Sequence, residues 1–326
     1  MKKGQEEDVI RLSADGLEQA ATVLDQFSSH QNQLELNLLV TWMHKRMRIS
    51  NIEKDGTDYL ATINPIEWEA FTTGPQGNRT LTGRRFWLEN AYEFIDEPYE
   101  WYFDKEEKMV YLYAPEGMDL NQAEVIVPKA ENILSLEGTQ DKPVSGITIE
   151  GITFKHTGWT RPNNYGFVDV QANPLLPIPE HKQEDAQFRH NQKKDKIMGA
   201  LYANYANDVD IRGCVFTKLG GNGVTFDLGG QNVTFDGNVL YDISGNGFEF
   251  GNDAYRPEHE NMMAKNVAIR NNYVLEIGKE YMGAVGLMVM YCDSAVVSHN
   301  LIKNVPYSAI NISWGWEGPE GYVANT

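Results

Sequence analysis

The chain has 326 residues, enough for one large domain or two ordinary ones with a substantial core, which excludes a peptide ligand or a linker. Its 28 Lys and Arg against 46 Asp and Glu leave a net charge of −18, a surface that repels nucleic acid, anionic membranes and, unless cations intervene, acidic polysaccharides. Neutral substrates fit better. Two cysteines, Cys214 and Cys292, lie far apart without CxxC spacing, so neither a disulfide framework nor a zinc site is indicated. No apolar run of roughly 18 residues reads as a membrane span. The opening MKKGQEEDVIRL lacks the apolar stretch of a secretory signal, consistent with an intracellular protein or a trimmed start.

In chain order, LSADGLEQAATVLDQF places Ala, Leu and Val at helical spacing after Ser13 as an N-cap, and residues 1–34 read as a helical segment. From Glu35 the pattern changes to short alternating runs, among them DYLATI, RRFWLEN, EWYFD, MVYLYA and AEVIVP, punctuated by Gly, Pro, Asn and Asp. Strands at spacings of about 8 to 15 residues predict a β-sandwich-like module over 35–130.

Beyond residue 140 one frame recurs. Ile147-Thr-Ile149-Glu-Gly151-Ile-Thr-Phe154 matches Val209 to Phe216, Val233 to Leu240, Val267 to Val274 and Ala295 to Ile302. Four copies are followed by a second strand: Val224-Thr-Phe226, Phe248-Glu-Phe250, Leu287-Met-Val289 and Ile310-Asn-Ile312. A shortest period of about 24 residues, made of short strands without helices, predicts a parallel β-helix over 140–326, because such units bury their apolar faces only by stacking. Asn238, Asn272 and Asn300 share one frame position, as an inward ladder of side-chain amides requires. Residues 157–200, proline-rich and then basic, read as a loop excursion over one face, with Trp159 and Arg161 at its start.

The same register places Phe250, Val289 and Ile312 at equivalent inward positions. Asp253, Asp293 and Glu317 follow them closely and are expected near one corner of adjacent coils. At an interstrand spacing of roughly 4.8 Å, neighbouring carboxylates fall about 5 to 6 Å apart, which suits the double displacement of a retaining glycoside hydrolase. Asp293 is the expected nucleophile. Glu317, its pKa raised by Trp314, Trp316 and the neighbouring charge, is the expected acid and then base. For any one of these residues a turn role, bonding its own backbone, is the alternative. Trp314 and Trp316, with Trp159, supply flat rings for stacking against sugar. No metal or cofactor motif occurs.

Several phrases resemble a known group. FWLENAYEFIDEPYEWYFDKEEKMVYLYAPEG at 86–117, TWMHKRMRISNI before it, GITFKHTGW and VDVQAN in the middle, and HNLIKNVPYSAINISWGW near the end are similar to segments of bacterial right-handed parallel β-helix enzymes that act on carbohydrates. This group includes β-xylosidase-like, α-L-fucosidase-like and xylanase-like glycoside hydrolases with an inserted β-sandwich. The resemblance implies an all-β protein of that architecture, located outside the cell or in the periplasm. In the β-xylosidase-like branch an Asp and a Glu a little over twenty residues apart form the pair, as Asp293 and Glu317 do. In the fucosidase-like branch two Asp about forty apart are implicated, which suits Asp253 and Asp293. Tyr99 and Ala309 stand where the family carries glycine. The family also has coils before and after the matched region, so the chain is expected to be cut at both ends.

Three functions remain open from the sequence. One is a retaining hydrolase of a neutral xyloside- or fucoside-type glycan. Another is a polysaccharide lyase, which needs a Lys or Arg base and is disfavoured by the charge and by the absence of basic residues beside Asp293. The third is a carbohydrate-binding β-helix without catalysis. In all three the partner is an oligo- or polysaccharide; oligomeric state is not legible.

Overall fold

The computed structural model describes residues 8–15, 17, 20–25, 33–40, 42–72, 83–168, 175–177, 189–191, 194–251 and 259–313. In chain order its elements are β1 (Val9–Leu12), α1 (Ala21–Asp25), β2 (Glu35–Val40), β3 (Met43–Asp55), β4 (Asp58–Ile63), α2 (Pro65–Thr72), β5 (Arg85–Glu89), β6 (Trp101–Asp104) and β7 (Met109–Leu112). There follow β8 (Leu134–Glu137), β9 (Val144–Glu150), β10 (Thr153–Thr157), α3 (Pro162–Tyr165), β11 (Phe167–Val168), β12 (Leu175–Pro177), β13 (Arg189–Asn191) and β14 (Lys194–Lys196). The last thirteen strands are β15 (Gly199–Asn204), β16 (Ala206–Arg212), β17 (Val215–Leu219), β18 (Asn222–Phe226), β19 (Gln231–Asp236), β20 (Val239–Ile243), β21 (Phe248–Phe250), β22 (Ala264–Arg270), β23 (Tyr273–Ile277), β24 (Leu287–Met290), β25 (Cys292–Ser298), β26 (Leu301–Lys303) and β27 (Ile310–Ser313). No helix among the described residues is long and apolar enough to cross a membrane.

Two compact units result, one comprising residues 1–125 with 161–168, the other 126–160 with 169–326. In the first, antiparallel strands run in the order β1-β4-β3-β2-β5. β3 serves both halves of this sheet: Met43 to Arg48 pair with β2, and after a register shift near Ile49 the remainder pairs with β4. This unit is thus one sheet whose two halves share a long strand, with a register shift where they meet. Leu36, Val40, Met47, Ile49, Ala61 and Ile63 form its core together with Val23 and Leu24 of α1 and Phe71 of α2. Asn64 caps α2 by accepting the amides of Ile66 and Glu67, with Pro65 at the first helical position.

The helical reading of the N-terminal segment is met in part, by α1 within LSADGLEQAATVLDQF, and is corrected ahead of it. Its only described helix is the five-residue α1, and Val9 to Leu12 form a strand antiparallel to β4. Ser13 accepts the Asp15 amide in a turn and caps no helix. Ile10 and Leu12 gain burial by pairing with a strand some fifty residues on, a long-range term that local helical spacing does not register.

The second unit is a parallel β-helix. The chain passes in each coil through three sheets, ordered β8-β15-β18-β21-β24-β27, β9-β16-β19-β22-β25 and β10-β17-β20-β23-β26. Ile147, Val209, Val233, Val267 and Ala295 stack in register, as the repeat predicted. Inward alternation fills the bore with aliphatic and aromatic columns. Phe154 stacks on Phe216 at 4.7 Å between centroids and Phe226 on Phe250 at 4.9 Å. Each such ring, fully buried, stabilises the stack by about 1.5–3 kcal/mol. The Asn ladder is present: the Asn238 oxygen accepts the Cys214 amide, the Asn272 oxygen the Asn238 amide and the Asn300 oxygen the Asn272 amide, at 2.8–3.0 Å.

The excursion is divided. Its residues 161–168 belong to the first unit, where β11 pairs with β3, while β12, β14 and β13 form a small sheet of their own in the second.

Candidate functional site

The first sheet of the β-helix has an unusual outer face. Register aligns Ser135, Tyr202, Thr225, Glu249, Met288 and Asn311 in one outward column. Period-two alternation should leave such positions wet, yet Thr225, Glu249 and Met288 are 0 % exposed. A buried carboxylate in the middle of a strand is costly unless it is paired and hydrogen-bonded.

Its partner is Lys196, the last residue of β14. The Lys196 ammonium lies 2.5 Å from the Glu249 carboxylate and 3.5 Å from that of Asp227, which follows β18, and donates to the Gly251 carbonyl at 3.3 Å. Glu249 Oε2 accepts amide hydrogens from Asn222 at 2.9 Å and Asn246 at 3.1 Å. Asp227 Oδ2 accepts the Tyr202 hydroxyl at 2.8 Å. Burial and the Asp227 charge push the Tyr202 phenol far up, so it remains a donor at every accessible pH. Both carboxylates touch one ammonium, so their nearest oxygens are no further apart than the two contacts end to end, about 6 Å.

A second amide ladder supports this cluster at the corner preceding the sheet. The Asn222 oxygen accepts the Asn246 amide and the Asn246 oxygen that of Val285, each at 2.8 Å. The next coil is apolar on the same face, where Met288 and Met290 pack with Val285 against Tyr291.

Asp293 lies just past the turn at Tyr291, whose φ is 43°, as the second residue of β25. It is half-buried, and its Oδ1 accepts the Ser294 hydroxyl at 3.0 Å. In register it faces Lys265 of the preceding coil, whose ammonium pairs with Glu260 at 3.0 Å. The sequence expectation that Asp293 lacks basic neighbours is therefore corrected, since stacking brings together residues 28 positions apart. Beside it, burial and then the Asp293 charge push the Cys292 thiol up to about 12. Both cysteines are free and buried.

Trp159 is 8 % exposed, and its ring packs edge-on against Tyr281 at 5.1 Å between centroids. A ring so enclosed packs the protein and does not offer the open stacking face expected of a sugar platform. Arg161, which precedes α3, is also nearly buried and belongs to the other unit. Asp253, Trp314, Trp316 and Glu317 lie outside the described residues. Among the described residues, no three His, Cys, Asp or Glu side chains converge as metal ligands.

The sequence reading missed Lys196, Asp227, Glu249 and the Asn222–Asn246 ladder. The available signal was Glu249 set between two core phenylalanines in a column with Thr225 and Met288 above and below.

Fold and site define a stacked-coil β-helix protein with a polar cluster sealed on one outer face and an antiparallel module ahead of the coils. Residues 137–317 match the family described as Right handed beta helix region, and the chain belongs to that family. Residues 6–116 match the GH141 insertion domain. A solved structure named Glycoside hydrolase is 30% identical, with a TM-score of 0.78 over 95% of this chain and 55% of the other. The chain thus spans about half the length of that relative. No curated protein matches it.

Proposed function

We propose that the protein is a glycoside hydrolase of neutral glycans, acting with retention outside the cytoplasm and without a metal. The observation that carries this reading is the combination, in one chain, of a GH141 insertion domain and a β-helix, and the likeness of 95% of the chain to a glycoside hydrolase. The net charge of −18 favours a neutral xyloside- or fucoside-type substrate over a uronate or a nucleic acid.

Asp293 is the nucleophile in this account. It stands near the start of β25 and is only half-buried, so it keeps access to solvent, as a group that meets substrate must. Its carboxylate attacks the anomeric carbon while an acid, Glu317 or Asp253, protonates the departing oxygen. Water then cleaves the glycosyl ester, its proton returning to the same acid. Trp314 and Trp316 are the proposed stacking platform.

Lys265 opposite Asp293 is the one observation that favours a lyase, where a lysine would abstract the proton next to a uronate carboxylate. Its ammonium is paired instead with Glu260 at 3.0 Å. Proton NMR of the first sugar released from a panel of aryl glycosides tests the reading. Retained anomeric configuration supports it; inversion contradicts double displacement, and an unsaturated product from a uronate polymer supports the lyase.

A further inference from the structure

We propose that Lys196 is a positioning residue for the glycosidic site, holding the point where the chain leaves β21. This inference rests on the hydrolase reading for its kinetic consequence, but its structural content stands on the geometry alone.

Among the described residues, the Lys196 ammonium is paired with the Glu249 carboxylate within β21 and donates to the Asp227 carboxylate after β18 and the Gly251 carbonyl after β21. Each acceptor is fixed independently. Asn222 and Asn246 clamp Glu249, Tyr202 clamps Asp227, and the Gly251 amide donates to the Phe226 carbonyl at 2.8 Å. Gly251 adopts φ 95°, and a Cβ there would run into the Met290 carbonyl of the next coil. The strand exit therefore has one backbone conformation, open to glycine alone, and its carbonyl is aimed at Lys196. Two residues further along the chain stands Asp253, and Met290 on the adjoining coil is three residues before Asp293. A lysine from the excursion thus holds the backbone two residues before the first carboxylate of the fucosidase-type pair.

A purely structural role would require of Lys196 only that it neutralise buried acid. The whole protein is compared as wild type, Lys196→Met, and the double variant Lys196→Met with Glu249→Gln, which removes the lysine and the acid it pairs with most closely and serves if the single variant does not fold. Two readouts are taken: amide hydrogen exchange at Gly251 by NMR, with the Phe235 amide as internal control, and kcat and KM on the aryl glycoside that the wild type cleaves. Positioning predicts that in the folded variants Gly251 exchanges at least about tenfold faster while Phe235 does not. It also predicts a loss of about 100-fold in kcat with KM little changed, and no recovery in the double variant. Wild-type exchange at Gly251, or restoration of kcat by Glu249→Gln, overturns the proposal. If the wild type cleaves no glycoside, the hydrolase reading fails, and the Gly251 exchange rate alone decides whether Lys196 holds the strand exit.

Discussion

One side-chain oxygen of Asn272 accepts both the backbone amide of Asn238 at 2.8 Å and its side-chain amide at 3.1 Å. The Asn272 amide in turn donates to the Phe235 carbonyl. It also donates to Asn300 Oδ1 at 2.9 Å, so a single asparagine makes four side-chain hydrogen bonds, to the coil before and the coil after. Asn272→Leu removes all four contacts while keeping the volume; Asn238 Nδ2 retains the Ile211 carbonyl and Asn300 Oδ1 the Asn272 backbone amide, and each group left without a partner costs about 1–3 kcal/mol. The expected loss, about 3–5 kcal/mol by urea unfolding, exceeds that of an exposed asparagine such as Asn121, where the change is within about 0.5 kcal/mol.

His44 makes the first unit acid-sensitive. It is buried between Trp87 and Phe167 with its Nε2 against Asn37 Oδ1 at 2.8 Å, and burial, reinforced by the charge of Arg46, lowers its pKa from 6.5 to about 3. Between those values the unfolded chain binds more protons than the folded one. Stability is thus full above pH 6.5 and falls as pH drops toward 3, by up to about 1.4 kcal/mol per pH unit from this group. His44→Gln is expected to flatten the acid limb of a melting-temperature profile; an unchanged limb would assign it to other groups.

Gly251→Ala is expected to destabilise the β-helix by about 1–3 kcal/mol, because a methyl group at φ 95° meets the Met290 carbonyl. Gly237→Ala, also left-handed but with open space around its Cβ, should cost less. Thermal unfolding of the two variants side by side makes the comparison.

The thiols should be silent. With Cys214 buried and the Cys292 thiol pushed up to about 12, neither is expected to react with a disulfide reagent at pH 8 until the protein unfolds, when both react. Asp293→Asn removes the smaller of the two causes acting on Cys292, so it should leave this silence intact. Rapid labelling in that variant would show that the charge, not burial, protects the thiol.

The β-helix was legible because its inward positions repeat: Val209, Val233 and Val267 announce the coil, and Asn238, Asn272 and Asn300 announce the corner. The register of Phe250, Val289 and Ile312 was likewise readable. Glu249 and Lys196 were not. Alternation marks Glu249 as outward, and outward normally means wet; here Lys196 of the excursion, Asn222 and Asn246 lie against it. Lys196 sits in a basic, polar run that reads as solvated. The β1 strand failed for a similar reason, since its partner β4 is remote in sequence.

The account turns on Asp293. The direct test is release of aglycone from β-xyloside, α-L-fucoside and related aryl glycosides by the wild type and by Asp293→Asn, with circular dichroism and melting temperature recorded for both. The account predicts wild-type turnover on a neutral glycoside and a loss of at least about 1000-fold in the variant with an unaltered fold. Turnover that survives the substitution in a folded protein would contradict it.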